Sequence, residues 1–274
     1  MVPLRLPRPT LGLVLVAACL AAGCATTPEP TTVALPYVKG FSWNAPGDGV
    51  PDGWKHWTFA RFKRPTEYRL IDMDGRTVIR ARATDSASGL THPVNIDPKA
   101  FPYLHWHWKV DELIAKADNT KRSTEDAPAR LVVSFAGDLD SLPMDEQVFF
   151  GNVKLVSGQQ LPYATLMYIW ENRVTRGNVI PNAHTSRIKM IVAESGREKL
   201  GTWQEVTRNV YNDYRRAFGE EPGRIIAIGI MTDTDNTREH ASAYYGDIRF
   251  LRQRLQFPVA LAPAAVSADA PTPP

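Results

Sequence analysis

Cysteine is scarce in this sequence. Among its 274 residues the only two cysteines are Cys19 and Cys24, and none follows in the body of the chain. Without cysteine pairs, the body of the chain can have no disulfide framework, no zinc knuckle and no iron–sulfur cluster. A thiolate nucleophile is excluded there for the same reason.

An excess of charge of one sign is also lacking. The chain holds 32 Lys and Arg residues against 29 Asp and Glu residues, which gives a formal net charge of +3. Arg5 and Arg8 lie in a segment that we predict to be removed, so the remaining chain is close to neutral. Because nucleic-acid binding depends on clustered positive charge, we exclude nucleic acid as a partner.

Two motifs of common enzyme classes are missing as well. The sequence has no Gly-x-Ser-x-Gly run, so it gives no support to a serine hydrolase of that type. It has no glycine-rich turn that leads into Lys-Ser or Lys-Thr, so a phosphate-binding loop is not expected.

What the N-terminus does contain is an export signal. Arg5 and Arg8 precede an apolar run over 11–20, which as a helix reaches only about half the thickness of a bilayer core. Residues 20–24, Leu-Ala-Ala-Gly-Cys, resemble a bacterial lipobox, which implies a signal peptide over 1–23 and lipidation (palmitate) of Cys24. Ala25 is not Asp, which implies an outer-membrane lipoprotein facing the periplasm. Ordinary cleavage after Ala22 or Gly23, giving a soluble periplasmic protein, is the alternative.

Composition divides the rest of the chain into three parts. Residues 24–36 are rich in Thr and Pro and predict a flexible tether. Residues 37–257 show neither a repeat nor a break in composition, which predicts a single domain. Residues 258–274 are mostly Ala, Pro, Val and Ser and predict a disordered tail.

Alternation with a period of two dominates the predicted domain and indicates β-strands. The runs that show it lie at 77–83, 104–110, 129–135, 164–170, 187–192, 225–231 and 243–250. Helical candidates are few: 110–117, and 210–218, which Gly219 would cap. We therefore predict a mainly all-β fold, an antiparallel β-sandwich or jelly roll with one or two short helices.

Several motifs resemble a known family. They are LHWHWKV at 104–110, GTW at 201–203, DY at 213–214 with FG at 218–219, GIMTDTDNT at 229–237 and AYYGDIRF at 243–250. Together they resemble the bacterial domain of unknown function numbered 3047, over 41–251. That resemblance implies no particular activity. The closing strands are also similar to those of galactose-binding-like jelly rolls, which implies that fold.

Two histidines lie on one predicted strand. His105 and His107 alternate with Trp106 and Trp108, so the imidazoles project from one face and the indoles from the other. With Glu112 they form His-x-His-x4-Glu, which is similar to part of the cupin metal motif and would suit zinc, iron or manganese. The motif's flanking glycines are missing. The alternative is that the tryptophans form the buried face and the histidines have no special role.

A second candidate site follows a buried-looking strand. Asp233 and Asp235 stand two residues apart with Asn236 beside them, and their oxygens would suit a structural calcium ion. The alternative is a turn, because Asp, Asn and Thr stabilise turns by bonding to their own backbone. We expect no other cofactor.

Our leading hypothesis is a non-catalytic module that binds a carbohydrate of the cell envelope. The candidate ligand-binding residues lie at strand ends: Trp170, Glu171, Arg173, Asp233, Asp235 and Asn236. One alternative is a hydrolase of a glycan or of peptidoglycan, with Glu171 and an aspartate as acid and base. A second alternative is a scaffold that binds another envelope component through an apolar surface.

Overall fold

The computed structural model of this protein describes residues 37–47, 49–58 and 62–255. The predicted signal peptide, tether and tail, with Cys24, lie outside these residues. No helix of the described part is long and apolar enough to cross a membrane.

Twelve strands and two α-helices form the described part of the chain. The strands are β1 (Lys55–Trp57), β2 (Glu67–Met73), β3 (Arg76–Thr84), β4 (Ala87–Ile96), β5 (Tyr103–Val110), β6 (Ala127–Phe135), β7 (Ala164–Glu171), β8 (Val179–Pro181), β9 (Ile188–Ser195), β10 (Gln204–Asn209), β11 (Ile225–Asp233) and β12 (His240–Leu251). The helices are α1 (Met144–Ser157) and α2 (Val210–Phe218).

The strands form two sheets. The seven-stranded sheet has the order β1-β4-β11-β6-β7-β9-β8, and the five-stranded sheet has the order β10-β5-β12-β3-β2. Neighbouring strands are antiparallel except β7 and β9, which are parallel. The predicted mainly β sandwich is confirmed, with this parallel pair as its one departure among the described strands.

The core lies between the sheets and is rich in aromatic residues. Trp106 and Trp108 of β5 are fully buried and meet Tyr168 and Trp170 of β7, with ring centroids 5.1 and 6.2 Å apart. This confirms that the tryptophans face inward. Neither indole Nε1 of β5 has a hydrogen-bond partner, so burial of these rings rests on apolar packing alone.

The helices agree only in part with the sequence prediction. α2 is confirmed, and Gly219 ends it with a φ of 74°. The helix predicted over 110–117 is wrong, because Val110 ends β5 and Ile114 and Ala117 are buried against Ala241 in a turn. α1 was not predicted, since several of its apolar side chains face solvent and hide the helical period.

A glycine lies where β4 passes beneath an aromatic ring. A Cβ at Gly89 would stand 2.6 Å from the carbonyl oxygen of Ile230 and 2.9 Å from Trp57 Cε3. We expect Gly89→Ala to lower the free energy of unfolding by about 1–3 kcal/mol, as overpacking does. Gly151→Ala, in α1 with open space at its Cβ, should instead raise it by about 0.5–1 kcal/mol. Urea unfolding measures both, and equal effects of the two changes would contradict this reading.

Candidate functional site

A cleft of about 400 Å³ opens on the outer face of the seven-stranded sheet, between the sheet, α1 and the loops at the strand ends. Its walls combine apolar and polar side chains. They are Lys63, Ala87, Arg122, Glu125, Arg130, Phe149, Val153, Leu161, Met167, Asn182, His184, Ile188, Met231, Asp233, Asp235 and Asn236.

The floor of the cleft is apolar. Ala87 of β4, Met231 of β11 and Met167 of β7 point away from the main core, because their neighbours in each strand point into it. They belong to a second, smaller cluster of buried residues on this outer face. Phe149 of α1 forms part of the wall and stacks against His184, with ring centroids 6.5 Å apart.

A buried ion pair closes one side of the cleft. The Arg130 side chain is 2% exposed. Its Nε donates to Asp233 Oδ1 at 2.7 Å and its Nη2 to Asp233 Oδ2 at 3.1 Å. The same Nη2 donates to the carbonyl oxygen of Glu125 at 2.8 Å and to Asn119 Oδ1 at 3.3 Å. The guanidinium therefore ties β6 and β11 to the loop before β6.

Burial and the charge of the partner act in opposite directions on the pKa of each member of this pair. Burial works against the charged form of Arg130, but Asp233 outweighs it, so the pKa of Arg130 is raised. Burial acts to raise the pKa of Asp233, whereas the adjacent guanidinium acts to lower it. Each member of the pair therefore depends on the charge of the other.

Three carboxylates meet at this corner. The nearest oxygens of Asp126, Asp233 and Asp235 lie within 4.8 Å of one another. Asp126 accepts hydrogen bonds from the backbone amide of Thr237 at 2.7 Å and from its hydroxyl at 2.7 Å, and Asp235 forms an ion pair with Lys63.

The possible calcium site at Asp233 and Asp235 is the same corner. Arg130 and Lys63 supply positive charge next to the oxygens that calcium would need. A turn does follow β11, at 235–238, but Thr237 within it bonds to Asp126 in the loop before β6 rather than to the side chains of the turn itself. Calcium binding stays a prediction, and the corner is held by protein groups in either case.

The six predicted ligand-binding residues divide into two groups. Asp233, Asp235 and Asn236 line the cleft. Trp170 is fully buried in the core, and its Nε1 donates to the carbonyl oxygen of Gly196 at 3.1 Å. The structure therefore gives Trp170 no open face on which a sugar ring could stack.

Glu171 and Arg173 also lie apart from the cleft walls. The Glu171 side chain, in a residue that is 1% exposed, accepts hydrogen bonds from the backbone amides of Arg173 and Val174. It therefore stabilises the turn after β7, while the Arg173 side chain faces solvent. The strand β6 separates β7 from β11, which keeps Glu171 and Asp233 on strands that do not adjoin.

Sequence reasoning missed several cleft residues. Phe149 lies on a helix that the sequence did not indicate, and Asn182 and His184 lie in the loop between β8 and β9. Arg130 did leave a signal, since it is the one charged residue within the mainly apolar run 129–135. A charge at an interior position of a strand indicates a buried partner of opposite sign.

Fold and cleft together define a β-sandwich protein with a mixed apolar and polar ligand-sized cleft. The chain belongs to the family described as "Protein of unknown function (DUF3047)", whose family model matches residues 52–249. This confirms the resemblance seen in the sequence motifs. No curated protein matches the chain.

Some solved structures show weak similarity to this chain. The glycoside hydrolase domain of Endo-D from Streptococcus pneumoniae R6 matches with 7% identity and a TM-score of 0.33, over 74% of this chain and 22% of that chain. CBM28, a carbohydrate-binding module specific for non-crystalline cellulose, has 12% identity and a TM-score of 0.36 over 74% of this chain and 89% of that one. The cellulose induced protein Cip1 has 8% identity and a TM-score of 0.34, with 78% and 100% coverage. Likeness at this level does not indicate a function.

The two aspartates of the cleft should differ in their effect on stability. Asp233→Asn leaves the buried Arg130 without a counter-charge, so we expect a loss of about 3–5 kcal/mol in the free energy of unfolding. Asp235→Asn breaks a partly exposed pair and should cost about 1 kcal/mol or less. Denaturant unfolding at pH 7 compares the two variants. Losses of similar size would show that Arg130 does not depend on Asp233.

Proposed function

We propose that the protein is an outer-membrane lipoprotein, anchored through Cys24 and facing the periplasm, whose sandwich domain binds a glycan in the cleft without transforming it. The observation that carries the binding function is the combination of an apolar floor with a polar rim in a cleft of about 400 Å³. Cellular location rests on the sequence of the first 25 residues.

The chemistry of the cleft suits a sugar. A sugar ring has apolar C–H faces and a circumference of hydroxyl groups. Met167 and Met231 offer the faces an apolar floor, and Phe149 offers an aromatic wall. Asn182 and Asn236 carry both donors and acceptors at the rim, which is what hydroxyl groups require.

The contacts of the carboxylates support binding without catalysis. Hydrolysis by an acid and a base needs two carboxyl groups that face the scissile bond. Among the cleft residues, Asp233 is held by Arg130, Asp235 by Lys63, and Glu125 accepts from Asn182 Nδ2 at 2.9 Å. Glu171, the acid of the hydrolase alternative, bonds to its own turn and does not line the cleft.

One observation favours the scaffold alternative. The helix α1 exposes several large apolar side chains away from the core: Met144, Val148, Leu155 and Val156. Leu155 is the most exposed of the four, at 85%. An apolar helix face of this kind suits a protein partner in the envelope. The same helix supplies Phe149 to the cleft, so variants of adjacent residues can separate the two functions.

We expect a glycan that binds to raise the melting temperature, because it stabilises the folded state only. Phe149→Ala should weaken its binding about tenfold, which corresponds to about 1.4 kcal/mol of lost packing. Asp235→Ala should weaken binding as well, by removing a rim acceptor without unfolding the domain. A thermal-shift screen of envelope glycans followed by calorimetry measures these effects.

Val148→Ala serves as the matched control, since it shortens an exposed apolar side chain next to Phe149 on the same helix. It should leave glycan affinity unchanged. Unchanged affinity in both Phe149→Ala and Asp235→Ala would refute the cleft as the binding site. Release of sugar from the bound glycan would refute the non-catalytic part of the proposal.

A further inference from the structure

A second cluster of chemically active side chains lies on the outer face of the five-stranded sheet. β5 and β10 pair so that His107 stands opposite Glu205 and His105 opposite Thr207. Since Trp106 and Trp108 point into the core, the two imidazoles must point outward, where they meet the side chains of β10. None of these residues takes part in the glycan cleft.

Three ligand atoms converge at this point. Glu205 Oε1 lies 3.3 Å from His105 Nε2 and 3.7 Å from His107 Nε2. The rings of the two histidines are perpendicular, with centroids 4.9 Å apart. One donor atom of each of the three side chains lies within 4.8 Å of the others.

A hydrogen bond on the side of the ring away from Glu205 fixes the orientation of His105. Its Nδ1 forms a hydrogen bond of 2.9 Å with the Thr207 hydroxyl, and the residue is only 4% exposed. In the tautomer that donates Nδ1–H to this hydroxyl, Nε2 keeps its lone pair and directs it toward Glu205. Metal-binding histidines are held in this way, by a hydrogen bond from the ring nitrogen that does not touch the metal.

Burial disfavours protonation of both imidazoles, and the neutral imidazole is the form that binds a metal ion. Burial lowers the pKa of His105, and His107 and Arg249 act in the same direction. Burial also lowers the pKa of His107, although Glu205 and a hydrogen bond to the backbone of Asp247 oppose it.

We propose that His105, His107 and Glu205 form a binding site for a divalent transition-metal ion, with Zn²⁺ as the best fit. Zinc holds nitrogen and oxygen ligands at about 2.1 Å in a tetrahedron, which sets neighbouring ligand atoms about 3.4 Å apart. The two distances to Glu205 Oε1 bracket that value. Two imidazoles and one carboxylate also form a ligand set that zinc and non-haem iron use.

The third ligand differs from the one that the sequence suggested. Glu112 lies next to His240, with 3.5 Å between its Oε2 and the His240 Nε2, and so does not join His105 and His107. Glu205 takes its place through strand pairing. That contact spans about a hundred residues of sequence, so spacing within one strand could not reveal it.

Three protein ligands leave a fourth position for water or another ligand. A groove of about 290 Å³ adjoins His107 and is also lined by Trp203, Arg76 and Gly246 among others. Gly246 lies close to the histidine, since a Cβ there would stand 3.1 Å from His107 Cβ. His107 therefore lies at the side of an open groove, which gives the proposed site access to solvent.

Titration of the purified protein with Zn²⁺ in a calorimeter tests this proposal. We expect one zinc ion per chain, a rise in melting temperature, and loss of the site in His107→Ala and in Glu205→Gln. Thr207→Val keeps the branched shape and removes only the hydrogen bond to His105. It should weaken zinc binding about 10–100-fold, as loss of such supporting groups does.

His56→Ala is the matched control, because it removes an exposed imidazole on β1 and should leave zinc binding unchanged. X-ray absorption of the zinc-loaded protein should show imidazole and oxygen ligands. Sulfur ligands would assign the metal to a site other than His105, His107 and Glu205 and overturn the proposal. Wild-type affinity in a folded His107→Ala variant, or no binding of Zn²⁺ at all, would overturn it too.

Discussion

The alternation of side chains along each strand is the constraint on which both candidate sites depend. A β-strand that buries every second residue must direct the others to the opposite face. On β5, burial of Trp106 and Trp108 leaves His105 and His107 facing outward. On β11, burial of Ile228 and Ile230 in the main core places Met231 and Asp233 on the outer face. The functional side chains thus follow from the packing of the core.

Burial of a charge on the outer face of the seven-stranded sheet is unfavourable, and the neighbouring groups offset that cost. Arg130 is a cation at a buried position, where an unpaired charge would be strongly unfavourable. Asp233 neutralises it, and the carbonyl oxygen of Glu125 and the Oδ1 of Asn119 accept further hydrogen bonds from its Nη2. Because these groups come from β11 and from the loop before β6, the ion pair helps to fix the geometry of the cleft rim.

The sequence predicted the features that arise within a single strand or turn. The inward tryptophans follow from local alternation, and the capped helix α2 follows from local capping chemistry. β4 was missed, because Gly89 and Pro93 interrupt its β pattern. The positions of Trp170 and Glu171 were missed for another reason. A residue at a strand end can face a ligand or the core, and only the neighbouring strands decide which.

The two candidate sites lie on opposite outer faces of the sandwich and share no residue. The cleft rests on β4, β6, β7, β11 and α1, whereas the histidine site rests on β5 and β10. Two packed sheets stand about 10 Å apart, so a full layer of core side chains separates the sites. Effects of substitutions at such a distance are usually additive. Loss of metal binding should therefore leave glycan binding unaffected, and the two proposals can be tested independently.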